Sequence, residues 1–364
     1  MFKSVDIWLP GYLRSVLHRP RHWMKPAHLM FCIADHFEPF AGGVDSSIAR
    51  ERLNYWQDNY LRVFGRFRDH DGIMPRHTFF YPQEQYDDFC VDKLSKLCRA
   101  GCGEVEIHLH HRNDTPQGLK EKLESFKTLL HEKHGLLGLD NEKRIRYGFV
   151  HGNTALCNSN PDGDWCGVNE ELKILADTGC YADFTFPSAP APTQPRTVNC
   201  IYRATDRNGK PRSHDYGVQV FAGSSNRNDG IMLIPGPLCL DWRRRKYGIF
   251  PRIENAELHA LNPPVLHRLN LWVKTHICVV GKPEWVFVKI HTHGCVESNM
   301  RMLLGDAMVK LHEYLQKQYN DSKEWVLHYV TARELYNIIR AGEDKKEGNP
   351  GAYRNYEIKT SISL

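Results

Sequence analysis

Apolar positions along the chain recur with two different periods, and the two take turns. HLMFCIAD (28–35) is a short apolar run that predicts a strand, and Ile48, Leu53, Trp56, Tyr60 and Phe64 then recur at helical spacing. HTFFYP (77–82) predicts a second strand. The helix after it, through Phe89, Leu94 and Leu97, is stopped by Gly101. EVEIHLH (104–110) predicts a third strand, and Thr115-Pro116 has the form of an N-cap with proline in the first turn. That cap opens a helix through Leu119, Leu123, Phe126 and Leu130.

The rhythm continues with a strand at RYGFVHG (146–152), a helix around Leu172 and Leu175 ending at Gly179, and a strand at YADFTF (181–186). Residues 187–230 break it with Pro, Asn, Gly and Ser, and predict a long insertion or a small accessory hairpin. Strands return at IMLIPGP (231–237) and EWVFVKIHTHG (284–294). A helix through Met308, Leu311 and Leu315 precedes WVLHYV (325–330), and Thr331 with Glu334 forms a capping box for a last helix.

Strands and helices alternating in this way predict an α/β fold with a mainly parallel sheet. Seven or eight such units suit a barrel with its active site at the C-terminal strand ends. A doubly wound open sheet is the alternative, but the glycine-rich nucleotide loops that usually accompany it are absent. The chain divides into a basic, aromatic N-terminal segment (1–27), the main α/β body (28–342, with 187–230 inserted) and a C-terminal tail (343–364).

Composition narrows the classes. The 364 residues are 41% apolar and 25% charged, as in a globular protein, and no apolar run is long enough for a membrane-spanning helix. Asp6, Pro10 and Arg14 interrupt the N-terminus before a signal-peptide core can form. A net charge of +5 is too small to argue for nucleic acid. Eleven cysteines without any Cys-x-x-Cys predict a reduced, cytoplasmic protein.

Histidine is the informative residue, with twenty copies. In the third strand Val105, Ile107 and Leu109 share one face, and Glu106, His108 and His110 the other. Late in the chain Val286, Val288 and Ile290 oppose Lys289, His291 and His293. The first strand ends in Asp35-His36, and Asp114 follows His110 by four residues. Imidazoles and carboxylates at three strand ends make a donor set suited to Zn²⁺ or a neighbouring transition metal.

Phe31-Cys32-Ile33-Ala34-Asp35-His36, His77-Thr78-Phe79-Phe80 and the run from Glu106 to Asp114 together resemble successive signatures of the polysaccharide deacetylase superfamily, nearest to a bacterial branch of it. That family comprises carbohydrate esterases that deacetylate chitooligosaccharides and peptidoglycan. The resemblance covers roughly residues 28 to 330. It implies a distorted (β/α)7 barrel and a metal-dependent hydrolase that removes an acetyl group from an N-acetylated sugar or polysaccharide precursor. Carried over by position, it makes Asp35 the base and gives one divalent metal, Zn²⁺ first, to His36, His108, His110 and Asp114. His291, on a strand similar to the family's late one, becomes the acid.

Two departures leave alternatives open. The family's Asp-Asp pair is Asp35-His36 here, so Asp35 on the metal is the converse assignment, and His293 competes with His291 as the acid. The family's Arg-x-Pro-Tyr segment is replaced by Phe149-Val150-His151-Gly152-Asn153, which makes His151 and Asn153 candidates to line a sugar pocket. Trp242 is a candidate stacking platform, and Arg243-Arg244-Arg245-Lys246 a site for an acidic glycan. Trp8, Tyr12, Arg14, Arg19, Arg21 and Trp23 suit either peripheral membrane contact through residues 1–25 or a cap docked on the body. The competing functions are a non-catalytic glycan-binding or assembly protein on a decayed barrel, and a hydrolase of another amide.

Overall fold

The computed structural model describes residues 2–20, 23–224 and 229–362. In chain order the elements begin with helix α1 (Val5–His18), strand β1 (Ala27–His36), α2 (Ser46–Phe64), β2 (His77–Pro82), α3 (Asp88–Arg99) and β3 (Gly103–Leu109). Next come α4 (Pro116–His134), β4 (Gly138–Leu139), β5 (Ile145–His151), α5 (Glu171–Thr178) and β6 (Cys180–Asp183). Three short strands follow, β7 (Tyr202–Ala204), β8 (Val218–Gln219) and β9 (Ile231–Leu233), then β10 (Cys239–Lys246), β11 (Phe250–Glu254) and β12 (Glu257–Leu258). The chain finishes with α6 (Leu266–Thr275), β13 (Trp285–Thr292), α7 (Glu297–Leu303), α8 (Asp306–Tyr319), β14 (Trp325–Val330), α9 (Ala332–Glu343) and β15 (Lys359–Thr360).

One large sheet, mostly parallel, organises the molecule. Its order is β12-β13-β1-β2-β3-β5-β6-β9, every neighbouring pair parallel, and β14 pairs with the first half of β1. Among the described residues no ladder joins the two ends of this path, so closure into a barrel is not shown. An isolated parallel bridge pairs Phe221 with Val280.

Local signals start and stop the elements as the sequence predicts. Thr115 caps α4 by accepting from the Gly118 N–H, and Thr331 and Glu334 complete the capping box of α9. Gly179 ends α5 at a φ of 100°, where a side chain would be strained. The inserted region contributes the antiparallel pair β7–β8, with β7 also antiparallel to β9, so the accessory hairpin extends the sheet. The sequence pattern misses the hairpin β10–β11 because its Arg and Lys residues carry no apolar alternation. On α2 the buried stripe starts at Ala49, and Ile48 is exposed.

The two faces of the sheet have different partners. Leu29, Phe31 and Ile33 of β1, Val105, Ile107 and Leu109 of β3, and Val286, Val288 and Ile290 of β13 pack with the outer helices. Met30, Cys32, Ala34, Phe80, Val150, Ala182, Met232 and Phe287 pack with Leu335, Ile338 and Ile339 of α9. Helix α9 is buried along its whole length, and its charges are matched: Arg333 to Glu104 at 2.6 Å, and Arg340 and Arg203 to Glu343 at 2.6 and 2.7 Å.

The ends of the chain are packed onto this body. Trp8 of α1 lies against Ala189, Val198 and Leu238, and Trp23 stacks on His276 with ring centroids 4.2 Å apart. Arg21 lies outside the described residues. The tail returns through Arg354, which reaches Asp69, Asp71 and Glu334 at 2.9–3.0 Å. Among the described residues no helix is long and apolar enough to cross a membrane. All eleven cysteines are free.

Candidate metal centre at the strand ends

Parity along the strands decides which side chains meet. His36 follows Met30, Cys32 and Ala34 onto the face shared with α9. His108 projects from β3, and His291 and His293 from β13 and its end, toward the same place. The His36 ring lies 5.0 Å from that of His108, 4.8 Å from His293 and 6.1 Å from His291. Glu38, two residues beyond His36 and so of the same parity, brings a carboxylate into the group. Its Oε1 stands 3.3 Å from His108 Nε2, 3.8 Å from His110 Nε2 and 3.9 Å from His293 Nε2.

The tautomers of two of these histidines follow from their second partners. His108 Nδ1 faces the Val150 carbonyl oxygen at 2.9 Å, and an oxygen that can only accept requires that Nδ1 carry the proton. His110 Nδ1 donates in the same way to Glu84 Oε1 at 2.5 Å. In the neutral rings both Nε2 atoms then present lone pairs toward the Glu38 carboxylate, an arrangement that a shared cation satisfies. Burial lowers the pKa of His108 in spite of the opposing bond to Glu38, so a second proton there is disfavoured. For His110, burial is outweighed by Glu84, which raises its pKa. Glu38 is raised by burial but more strongly lowered by its contact with His108 and the imidazoles of His293 and His110 around it.

The separations suit a metal. Bonds of about 2.0–2.2 Å at tetrahedral angles put ligand atoms roughly 3.3–3.6 Å apart. His36, Glu38 and His293 form one set of donor atoms close enough to share an ion, and Glu38, His108 and His110 another. Both ring nitrogens of His36 are buried without a hydrogen-bond partner, an arrangement that costs energy unless something else occupies them. These residues fit a divalent transition metal.

The other candidates are placed differently. Asp114, expected beside His110, lies instead 3.3 Å from His111 Nδ1 and accepts from Lys122 at 2.7 Å. Glu38 takes the place expected for it. Asp35 falls in register with Phe31 and Ile33, opposite in parity to His36, and its Oδ1 accepts from the Gly294 N–H at 2.6 Å. That approach requires a glycine, since a Cβ at 294 would lie 2.1 Å from Asp35 Oδ2. Burial lifts the Asp35 carboxyl well above the usual carboxylate range, against the Gly294 N–H that lowers it.

His291 is buried, and desolvation followed by the charges of Lys289 and His293 holds it well below the usual pKa. His293 keeps 40% of its side chain exposed at the mouth. Lys289 donates to the carbonyls of Phe184 and Phe186, and burial lowers its pKa to about 8. His151, expected on a sugar pocket, is fully buried and closed off from solvent. Asn153 is half-buried, with its amide toward the carbonyls of His111 and Trp165. Trp242 is exposed on the β10–β11 hairpin with Arg245 above its ring. In the adjoining basic run Arg244 is committed to Asp241 and Glu254.

Sequence reasoning missed Glu38 and Glu84. For Glu38 the signal was its parity with His36. Glu84 sits on a short turn after β2, where no periodicity applies. A cleft of about 800 Å³ between α1 and the segment around Arg196–Gln219 contains none of the rim imidazoles. No family model matches the chain, and no curated protein matches it.

Proposed function

We propose that the rim cluster holds a divalent transition metal, Zn²⁺ first, and that the protein is a metal-dependent hydrolase acting on the N-acetyl group of a sugar or polysaccharide precursor. The observation that carries this reading is the convergence of His108 and His110, each with its Nδ1 proton committed elsewhere, on the Glu38 carboxylate at an accessible strand end. A run of seven among the parallel strands, β13-β1-β2-β3-β5-β6-β9, supports a distorted (β/α)7 barrel with its site at the C-terminal ends.

Glu38, His108 and His110 would hold the ion, with the unpartnered His36 ring beside His108 as a further donor. When bound, it supplies Lewis-acid polarisation of an amide carbonyl and acidifies a water. Among the rim imidazoles His293 is the most exposed, and in this reading it takes a proton from the attacking water and returns it to the departing amine nitrogen as the C–N bond breaks. His291, buried and uncharged, orients the wall beside His36.

The retreat of Asp35 to the Gly294 amide favours a second reading, a barrel that binds glycans without hydrolysing them. Acetate release from chitooligosaccharides by the zinc- or cobalt-loaded protein, with chelator as control, separates the two. Under the hydrolase reading His293→Ala lowers turnover by ~10²- to 10⁴-fold with metal content retained, and His291→Ala costs less. No acetate from chitooligosaccharides or peptidoglycan fragments, together with retained glycan binding, would establish the second reading.

A further inference from the structure

Behind the rim lies a second group of donors, fully buried and drawn from four separate segments. His111 follows β3, His151 ends β5, Cys166 sits in the loop before α5, and Glu171 opens α5. His111 Nε2 is 3.3 Å from Glu171 Oε1, His151 Nε2 is 3.8 Å from the same oxygen, and Cys166 Sγ is 3.4 Å from Glu171 Oε2. Zinc bonds of about 2.0–2.2 Å to N and O and 2.3 Å to S place the corners of a tetrahedron roughly 3.3–3.7 Å apart.

A second observation points the same way. His151 Nε2 is buried, lacks a hydrogen-bond partner and faces the group. His111 Nδ1 lies 3.3 Å from Asp114, itself held by Lys122, and is likewise buried without a hydrogen-bond partner, so both imidazoles of the group have an unsatisfied ring nitrogen. A thiolate and a carboxylate with two neutral imidazoles balance a 2+ ion, so the filled site carries no net charge into the interior. Binding through His151 Nε2 puts the ring proton on Nδ1, and the 3.3 Å contact from the Asn153 N–H gives way.

We infer that His111, His151, Cys166 and Glu171 form a closed structural zinc site, distinct from the open site at the rim. Four protein ligands without an accessible position are the mark of a structural zinc, whereas a catalytic zinc keeps a position open. The site ties the end of β5 and the loop before α5 to the residue next to His110, and so holds the rim from behind. The inference does not depend on the hydrolase reading.

The test is cobalt substitution of the full chain with metal analysis, because only this site contains sulfur. Wild type should bind two equivalents of cobalt and show a thiolate-to-cobalt charge-transfer band. His110→Ala should lose the rim equivalent and keep the band, and Cys166→Ser should lose the band and one equivalent. A wild-type protein without the band overturns the inference whether or not Cys166→Ser folds, as does a band that survives in Cys166→Ser. One equivalent with the band leaves this site standing and removes the rim. One equivalent without it does the reverse.

Discussion

Replacing Glu84 with alanine should weaken metal binding at the rim by roughly 10- to 30-fold while leaving the fold intact. Glu84 touches the proposed ion only through His110: Oε1 accepts the Nδ1 proton at 2.5 Å and Oε2 the backbone N–H at 3.3 Å. Removing a carboxylate behind a ligating histidine typically costs 10- to 100-fold in affinity, about 1.4–2.7 kcal/mol. Because a third of the Glu84 side chain is exposed, solvent screening places the loss in the lower half of that range. The short turn that carries Glu84 buries none of its residues, so thermal unfolding of the variant should match wild type. Cobalt titrations followed by visible ligand-field bands, with the sulfur-bearing site accounted for by its charge-transfer band, report the rim affinity. Glu84→Gln, which keeps an acceptor for Nδ1, should lose less than alanine. An unchanged affinity in Glu84→Ala would show that His110 is not poised for a metal and would undo the tautomer argument.

Two further predictions concern the body of the protein. Glu254 accepts from Arg268 at 2.7 and 2.9 Å, from Trp272 at 2.9 Å and from Arg244 at 2.9 Å, and Arg268 is fully buried. Glu254→Ala strands that guanidinium and should cost ~3–5 kcal/mol in chemical denaturation; a loss below ~1 kcal/mol would mean that water reaches it. His77, with Nδ1 bonded to the Tyr60 hydroxyl at 2.9 Å, is lowered by burial to a pKa of about 3. The unfolded chain therefore takes up this proton first, so the contribution of His77 is complete above pH ~6.5 and declines by ~1.4 kcal/mol per unit as the pH falls toward 3. His77→Gln should flatten the pH dependence of stability by that slope, and identical slopes in variant and wild type would contradict the assignment.

The order of elements was legible because it is local. Alternation along EVEIHLH separates Val105, Ile107 and Leu109 from His108, and the caps at Thr115 and Thr331 act within one turn of their own helices. Parity likewise put His36, His108 and the β13 histidines on a common face once the strands were parallel neighbours. The same rule, applied strictly, separates Asp35 from His36 and admits Glu38, which a positional match to a paired-aspartate motif overrides.

What the chain pattern could not contain is adjacency between distant segments. Asp114 is four residues from His110, yet the turn after β3 sends it to His111, because its backbone N–H bonds to the Cys166 carbonyl at 2.9 Å and Lys122 holds its carboxylate. The grouping of His111, His151, Cys166 and Glu171 depends on β3 pairing with β5 and on α5 starting beneath them, a matter of long-range packing. The burial of α9, with Arg333 and Glu343 inside it, depends on Glu104 and Arg203 arriving from elsewhere in the fold. Local periodicity assigns each side chain a face, but only tertiary contacts decide which faces meet and at what height along the strands, and the chemistry of this protein resides in those meetings.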